Sequence, residues 1–254
     1  KSFNKLIIEI NNEIANIKNI VFNCVIINDA STEQAPKINV PLHLSSIEII
    51  NMKKNKGHAR CNAFGIKYIL EKNEFDHLIL MDGDGEDRPI EIKSLVDKAI
   101  EKKNFSVVAK RVKRSEGLFF QILYEMHKII TYIFTGKKIN FGNYSCLIKK
   151  DVEKLHSAAS LWSSYSGTVK LFLKDLSEIN SIRGLRYFGP SQMSLFKLLI
   201  HSFSIIAVFK YQVFLRSTFI IIFLAYLSQY LGNITIFFQI FIVLFNLIIF
   251  IISL

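Results

Sequence analysis

The sequence predicts an α/β domain followed by an interfacial helix and two membrane-spanning helices. Over residues 1–190, short apolar runs bounded by Gly, Pro or acidic residues alternate with segments of helical periodicity, a pattern typical of a mainly parallel, three-layer sheet. Residues 191–210 are apolar except for a narrow polar stripe, which favours a helix in the bilayer interface, with a buried core helix as the alternative. Residues 211–254 carry no charge after Arg216 and are long enough for two spans of about 20 residues.

Periodicity assigns each element in chain order. A strand is predicted where four to eight apolar residues run together, and a helix where apolar residues recur every three to four positions. The predicted strands are 21–27, 47–50, 78–81, 105–109, 140–147 and 179–187. The predicted helices are 3–17, 55–70, 89–103, 117–136, 151–159, 164–176, 194–210, 211–230 and 233–254. The amphipathic helix at 117–136 suits a position either over a ligand site or along a membrane.

The most informative stretch is the acidic loop, Asp82–Asp87, which follows the apolar run 78–81. Four acids in six residues repel one another unless a cation neutralises them. Asp82 and Asp84 are two positions apart, so in extended backbone they point the same way, and the intervening glycine lets the chain turn both toward one ion. Ligands that are all oxygen favour Mg²⁺ or Mn²⁺ over Zn²⁺. The alternative is a solvated acidic turn, which the buried strand before the loop and Pro89 at a helix start argue against.

The composition restricts the class of partner and the compartment. A net charge of +11 suits nucleic acid, an anionic membrane surface or phosphorylated ligands. No zinc-finger spacing or aromatic RNA-binding signature supports nucleic acid. The widely separated Cys24, Cys61 and Cys146 predict reduced thiols in a cytoplasmic domain. Lys210 and Arg216 flank the first span and the turn between the spans is uncharged, so the positive-inside rule places the α/β domain in the cytoplasm.

Five segments match, in order, the motifs of one known family. They are the strand end Ile27–Ser31, the helix start Asn55–Ala59, the acidic motif Met81–Pro89, the basic segment with Arg111, Arg114 and Glu116, and the Arg-Gly element Arg183–Ser191. On these residues the chain resembles family 2 glycosyltransferases with the nucleotide-sugar-binding, Rossmann-like GT-A fold. Within that family it is similar to the branch of dolichol-phosphate mannosyltransferases and bacterial polyprenyl-phosphate glycosyltransferases.

The resemblance implies transfer of a sugar from a nucleotide diphosphate, with inversion at the anomeric carbon, and a role for each matched residue. The implied metal ligands for Mg²⁺ or Mn²⁺ are Asp82, Asp84 and Glu86. The implied nucleotide-sugar residues are Asp29, Ser31, Gly57, Asp82 and Asp84. The implied acceptor-phosphate residues are Arg111, Arg114, Arg183 and Arg186, and the implied catalytic residues are Asp84, Arg111 and Arg114. Two alternatives stay open, namely that Asp29 caps the turn at Ser31 and that the arginines form a solvated basic face.

The acceptor decides which catalytic groups are needed. A sugar hydroxyl requires a general base, whereas a phosphomonoester is mostly dianionic at neutral pH and requires cations instead. Asn143 stands where many members of the family carry an Asp, and this fits a phosphate acceptor. We therefore predict a membrane-anchored, metal-dependent hexosyltransferase that moves a sugar to polyprenyl (undecaprenyl or dolichyl) phosphate in the cell envelope. The expected location is the inner (plasma) membrane, with several spans and a cytoplasmic catalytic domain.

Two other functions remain open. One is an enzyme of the same fold that glycosylates a saccharide or glycolipid hydroxyl in cell-surface polysaccharide synthesis. The other is a non-catalytic membrane scaffold of this fold. The expected partners are a nucleotide-diphosphate sugar, a polyprenyl phosphate lipid and the membrane, without nucleic acid, and a homo-oligomer is not excluded.

Three departures from the family pattern lead to further expectations. The opening strand of the family is absent, because Lys1 falls in the helix that follows it, and the last span ends without a tail. We expect from this a chain clipped at both ends, with the nucleotide site compromised by the missing strand. Glu86 stands where the branch usually has Gln. The sequence identifies neither the sugar nor the nucleotide base.

Overall fold

The computed structural model describes residues 2–32, 40–113, 118–189 and 194–254. The strands are β1 (Asn23–Asn28), β2 (Ser46–Asn51), β3 (His77–Leu80), β4 (Ser106–Lys113), β5 (Phe141–Ile148) and β6 (Leu176–Ile182). The helices are α1 (Ser2–Ile14), α2 (His58–Lys72), α3 (Ile92–Glu101), α4 (Leu118–Thr135), α5 (Lys149–Leu155), α6 (Tyr165–Phe172), α7 (Leu195–Ala207), α8 (Lys210–Leu231) and α9 (Ile234–Ile252). Each predicted element is present in the predicted order, which confirms the α/β assignment.

The strands form two sheets rather than one. β1 pairs with β2 in parallel, with Cys24 opposite Ile47 and Asn28 opposite Asn51. The second sheet has the order β3-β5-β4-β6, in which β5 runs antiparallel to both of its neighbours and β4 runs parallel to β6. The sheets are therefore mixed, and the prediction of mainly parallel strands is wrong for β5. An apolar run indicates a buried strand but carries no information about its direction.

Strand β4 is longer than predicted. It extends from Ser106 to Lys113 and includes most of the basic run that we expected to follow it. Val107, Val108 and Ala109 are buried on both faces, as a continuous apolar run predicts. Lys110 belongs to the strand because it pairs in register with Asn180 of the neighbouring β6, and its ammonium group lies 3.3 Å from the carboxylate of Glu178 on that strand.

Contacts divide the chain into two compact units. The first unit takes the described residues within 1–115, 140–165 and 172–192. Here α1 and α3 cover both sheets with a shared apolar cluster that includes Ile7, Ile14, Leu44, Ile92 and Val96. α3 also packs on β4 and β5 through Leu95 and Ala99. The single domain that we predicted over 1–190 thus lies mostly, but not wholly, within this unit.

The second unit takes the described residues within 116–139, 166–171 and 193–254. Its helices α4, α7, α8 and α9 pack around a core that includes Ile206, Phe209, Val213, Phe245 and Ile249. In the described part of the chain, α8 and α9 are long and apolar enough to cross a membrane. The predicted helix at 117–136 therefore belongs to the unit that contains these two helices.

Candidate active site

The acidic loop begins where β3 ends, and its backbone turns at once. Leu80 is the last residue of β3, and Gly83 and Asp84 lie in a turn. The extended geometry that would point Asp82 and Asp84 the same way is therefore absent. The amide of Asp82 donates to Oδ2 of Asp87 across the loop, at 2.9 Å. The loop is thus closed on itself at its two ends.

Asp87 is the most buried acid of the loop, with 5% of its surface exposed. Burial and the neighbouring Asp82 carboxylate raise the pKa of Asp87 to about 7, against an opposing effect of Arg111 and Arg183. Both arginines therefore lie near enough to act on the loop electrostatically. The cluster combines mutually repelling carboxylates with cations at its edge.

Residues Arg183–Tyr187, which we call the arginine strap, follow β6 and lie along the acidic loop. The amide of Gly184 donates to the carbonyl of Glu86 at 2.8 Å, and the amide of Tyr187 donates to the carbonyl of Asp84 at 3.0 Å. A Cβ on Gly184 would lie 2.6 Å from the carbonyl oxygen of Gly85. A side chain at position 184 would therefore push the strap away from the loop.

The strap neutralises the acids of the loop. Nη2 of Arg186 lies 2.8 Å from Oδ2 of Asp84, and its Nε lies 3.5 Å from Oε1 of Glu86. Arg183 donates to the other carboxylate oxygen of Glu86. Asp84 and Glu86 therefore face one shared cation, the Arg186 guanidinium. Asp82 has a different partner, because its Oδ1 accepts from Nδ2 of Asn143 on β5 at 3.0 Å.

The carboxylates of the loop fit a divalent ion in their chemistry. Among the described residues, no three His, Cys, Asp or Glu side chains are already grouped as a metal site. Asp84 and Glu86 nevertheless converge on a single positive group, and carboxylate oxygens are the ligands that Mg²⁺ and Mn²⁺ prefer. Arg186 thus occupies the position of the cation that the sequence predicts for these two residues.

Arg111 reaches the site from the end of β4. Its amide donates to the carbonyl of Asn140 at 3.0 Å, next to the start of β5. Its guanidinium lies over Gly142, where a Cβ would collide with it. Because Gly142 has no side chain, the side chain of Arg111 has the space to cross β5 at this position. Arg114, its predicted companion, lies outside the described residues, as does Glu116.

Asp29 lies at the end of β1, and its carboxylate is held by backbone amides. Oδ1 accepts from Lys56 at 2.6 Å and Oδ2 accepts from Gly57 at 2.8 Å. Gly57 has φ +83°, a conformation that favours glycine, and it stands immediately before α2. The turn at Ser31 is capped instead by Oδ1 of Asn28, which accepts the Ser31 amide at 3.1 Å. The proposed capping of that turn by Asp29 is therefore wrong.

Asp29 also affects a neighbouring thiol. Burial, together with the hydrogen bond and the negative charge of Asp29, raises the pKa of Cys61 to about 12. Burial alone raises the pKa of Cys24, on β1, to about 11. The cysteines are free thiols, as predicted.

Tyr187 is a site residue that the sequence analysis did not select. Its ring covers Gly85, where a Cβ would come within 2.6 Å of the ring carbons. Its hydroxyl donates to Glu9 of α1, and the ammonium group of Lys5 lies 4.5 Å from the ring centroid. Burial and Glu9 raise the pKa of Tyr187. Because Tyr187 is next to Arg186 in the matched Arg-Gly element, the sequence could have identified it as a site residue. No sequence pattern indicated its contact with Glu9.

An α/β fold with carboxylates at two strand ends, and with arginines beside one of them, is typical of proteins that bind phosphorylated ligands. The sequence model of the family described as Glycosyl transferase family 2 matches residues 4–157, which is more than half of the chain. The protein therefore belongs to the family 2 glycosyltransferases, and a nucleotide-sugar donor and an acceptor follow from that membership. The match includes Asp29 and the acidic loop but ends before the arginine strap. No curated protein matches the chain.

Proposed function

We propose that the protein is a membrane-anchored, inverting glycosyltransferase that moves a hexose from a nucleotide-diphosphate sugar to polyprenyl phosphate. The observation that carries the proposal is the pairing of the acidic loop with the arginine strap. This reaction brings together two phosphorylated ligands, because the donor carries a diphosphate and the acceptor carries a phosphate. Both need cations, and arginines offer phosphate a bidentate fork.

On the donor side, Asp84 and Glu86 would hold a Mg²⁺ or Mn²⁺ ion. Asp82 accepts a hydrogen bond from Asn143 beside them. Such an ion, when bound, stabilises the charge that grows on a departing diphosphate. Asp29 would bind the base or ribose through the carboxylate lone pairs that its two amide bonds leave over. The exposed Ser31 would contribute a hydroxyl beside it.

On the acceptor side, Arg111 would bind the lipid phosphate at the end of β4. A phosphate dianion attacks the anomeric carbon without losing a proton, so no general base is required. Asn143 supports this assignment, since an amide cannot act as a base and its Nδ2 is engaged by Asp82. Arg114 remains part of the proposal on the sequence alone.

One observation favours the hydroxyl acceptor as a second candidate. Asp87, with a pKa of about 7, has the proton affinity that suits a general base at neutral pH. Its carboxylate is almost fully buried and accepts the Asp82 amide, which places it out of reach of an acceptor hydroxyl. We expect Asp87→Asn to retain transfer to lipid phosphate. A complete loss of turnover in a variant that folds normally would favour the hydroxyl acceptor.

The second unit supports membrane anchoring. α8 and α9 have the length and apolar composition of spans. α7 exposes Phe196 and Leu199, and α4 exposes Ile122 and Ile129, so both helices present large apolar side chains to their surroundings. Faces of this kind suit the boundary between headgroups and acyl chains. We propose α8 and α9 as spans of the inner membrane, with α4 and α7 in its interface and the catalytic unit in the cytoplasm.

A product assay tests the proposal. Membranes containing the full chain are incubated with radiolabelled UDP- and GDP-sugars and polyprenyl phosphate, with Asp84→Asn as the inactive control. We expect label in a chloroform-soluble product that mild acid hydrolyses, and none with the variant. Label only in an acid-stable saccharide or glycolipid would favour the hydroxyl acceptor. No incorporation under any condition would favour the scaffold.

A further inference from the structure

The backbone of the arginine strap is fixed against the acidic loop at both ends. The amides of Gly184 and Tyr187 donate to the loop carbonyls of Glu86 and Asp84. Gly184 lies so close to the loop that no side chain fits between them. Tyr187 covers Gly85 and is held in turn by Glu9. Any movement of the strap arginines relative to the acids must therefore begin with their side chains.

The Arg186 side chain is held by charge more than by hydrogen bonds. Its Nε is buried and has no hydrogen-bond partner. The distance from this Nε to Oε1 of Glu86 is 3.5 Å, which is an ion pair but too long for a good hydrogen bond. The side chains of Arg186 and Asp84 are 29% and 26% exposed, so their ion pair is accessible to water and to small ions. Because water and ions reach the pair between Asp84 and Arg186, another cation can compete with the guanidinium for Asp84.

We propose that Arg186 and a divalent cation compete for Asp84 and Glu86, and that the displaced guanidinium turns to the donor diphosphate. This inference rests on the proposed function, because it assigns a second task to the donor site. A divalent ion bound to both carboxylates and a guanidinium 2.8 Å from one of them would repel each other, so each lowers the affinity of the carboxylates for the other. The fixed backbone keeps the released Arg186 beside the ion, where an incoming diphosphate needs positive charge.

The exchange makes metal and nucleotide binding cooperative. Without a diphosphate, a metal ion must separate Arg186 from its carboxylates and leave the guanidinium without an anion. With a diphosphate present, both cations have partners. Each ligand therefore favours the other, and by linkage the coupling is the same in both directions. Arg186 thus neutralises Asp84 and Glu86 until both ligands are bound, and then binds the diphosphate itself.

Mn²⁺ binding to the nucleotide-free, detergent-solubilised full chain tests the proposal, with free Mn²⁺ followed by electron paramagnetic resonance. Arg186→Gln removes the competing cation, and we expect it to tighten Mn²⁺ binding about tenfold. The matched control is Lys102→Gln, which removes the same charge from the exposed end of α3 and should change affinity by less than about twofold. A merely structural role for Arg186 would weaken Mn²⁺ binding in the variant, so equal or weaker binding overturns the proposal.

Nucleoside diphosphate provides the second readout. We expect UDP or GDP, corrected for the Mn²⁺ that it binds in solution, to tighten Mn²⁺ binding to the wild type about tenfold and to Arg186→Gln much less. Equal coupling in the two proteins would contradict the exchange. If Arg186→Gln does not fold, Arg186→Met decides, because it also removes the competing charge, and Mn²⁺ affinity equal to or below that of the wild type overturns the proposal. Neither readout requires sugar transfer, so this inference and the proposed function can fail separately.

Discussion

Two strand ends in the first unit place carboxylates in similar positions but neutralise them in different ways. Asp29, after β1, accepts hydrogen bonds from the amides of Lys56 and Gly57. Asp84 and Glu86, in the loop after β3, face the side chains of Arg183 and Arg186. The first carboxylate is bound by backbone that cannot leave without unfolding the loop before α2. The charges of the second pair are neutralised by flexible side chains that can turn elsewhere, although Oδ1 of Asp84 also accepts the backbone amide of Glu86 at 3.0 Å.

The difference distinguishes a preformed site, at Asp29, from a site whose carboxylates can exchange their cation, at Asp84 and Glu86. A carboxylate fixed by two amides is pre-organised, and its remaining lone pairs can bind a ligand without rearrangement. A carboxylate paired with a partly exposed arginine side chain can exchange it for another cation, because the side chain can turn without unfolding the backbone. We therefore expect substitutions at Asp29 to affect stability and donor binding, and those in the acidic loop to affect mainly turnover.

The largest effect is expected for Asp84→Asn. The change removes the carboxylate that faces the shared cation, so turnover in the lipid-product assay should fall at least about 100-fold. The melting temperature should change little, since the lost ion pair is partly exposed. Asp97→Asn, which removes an exposed acid paired with Lys93 on α3, is the matched control and should retain full activity. An Asp84→Asn variant with normal turnover would remove the acidic loop from the mechanism.

The next largest effect is expected for substitutions that remove or displace the guanidinium of Arg111. Arg111→Ala should lower kcat/KM for the lipid phosphate about 100-fold, because a bidentate cation is lost. Gly142→Ala should lower it about tenfold, since the new Cβ would displace the Arg111 guanidinium. In a double-mutant cycle, Gly142→Ala should add nothing once Arg111 is Ala. Additive losses would show that Gly142 acts on something other than Arg111.

A smaller effect, on stability and on KM for the donor rather than on kcat, is expected for Asp29→Asn. The amide group offers one acceptor oxygen where the carboxylate offers two, so one of the Lys56 and Gly57 amides loses its partner. The cost of about 1–2 kcal/mol should lower the melting temperature by a few degrees, measured by differential scanning fluorimetry. If Asp29→Asn instead leaves the melting temperature unchanged and abolishes turnover, the contrast between the two strand ends is wrong.

The smallest effect concerns thiol reactivity and its pH dependence. Raised pKa values keep Cys24 and Cys61 protonated at neutral pH, so alkylation should be slow there and accelerate about tenfold per pH unit toward pH 11. Asp29→Asn removes the charge that helps raise the pKa of Cys61, so Cys61 should react several-fold faster at pH 9 while Cys24 does not change. Mass spectrometry of the alkylated peptides separates the two thiols. Equal acceleration of both would indicate local opening rather than a pKa effect.

Local patterns in the sequence were sufficient to predict the order of the elements and the position of the acidic loop. Apolar runs and helical periodicity depend on neighbouring residues, and the segment Leu78–Met81 before the acids is an example. The direction of β5 was not predictable, because it depends on which strands it joins. The charged end of β4 was also misjudged, since it depends on pairing with β6, where Asn180 lies opposite Lys110 and 70 residues further along the chain.

The partners of the site residues were less predictable than the residues themselves. The contact of Arg183 with Glu86 joins positions 97 apart, and that of Tyr187 with Glu9 joins positions 178 apart. Nothing in a local pattern encodes such pairs. The sequence analysis therefore selected Glu86, Arg183 and Arg186 as charged groups of interest, but it assigned the acids to a metal and the arginines to a lipid without relating them to each other.

Crystals of the full chain grown with Mn²⁺ and a nucleoside diphosphate test the central claim most directly. That claim is that the cation facing Asp84 and Glu86 is exchangeable. We predict an anomalous Mn²⁺ peak about 2.1 Å from oxygens of both carboxylates, with the Arg186 guanidinium moved onto the diphosphate. Asp29 should still accept the amides of Lys56 and Gly57. A diphosphate bound with Arg186 still on Asp84, and with no Mn²⁺ peak at the acidic loop, would contradict the account.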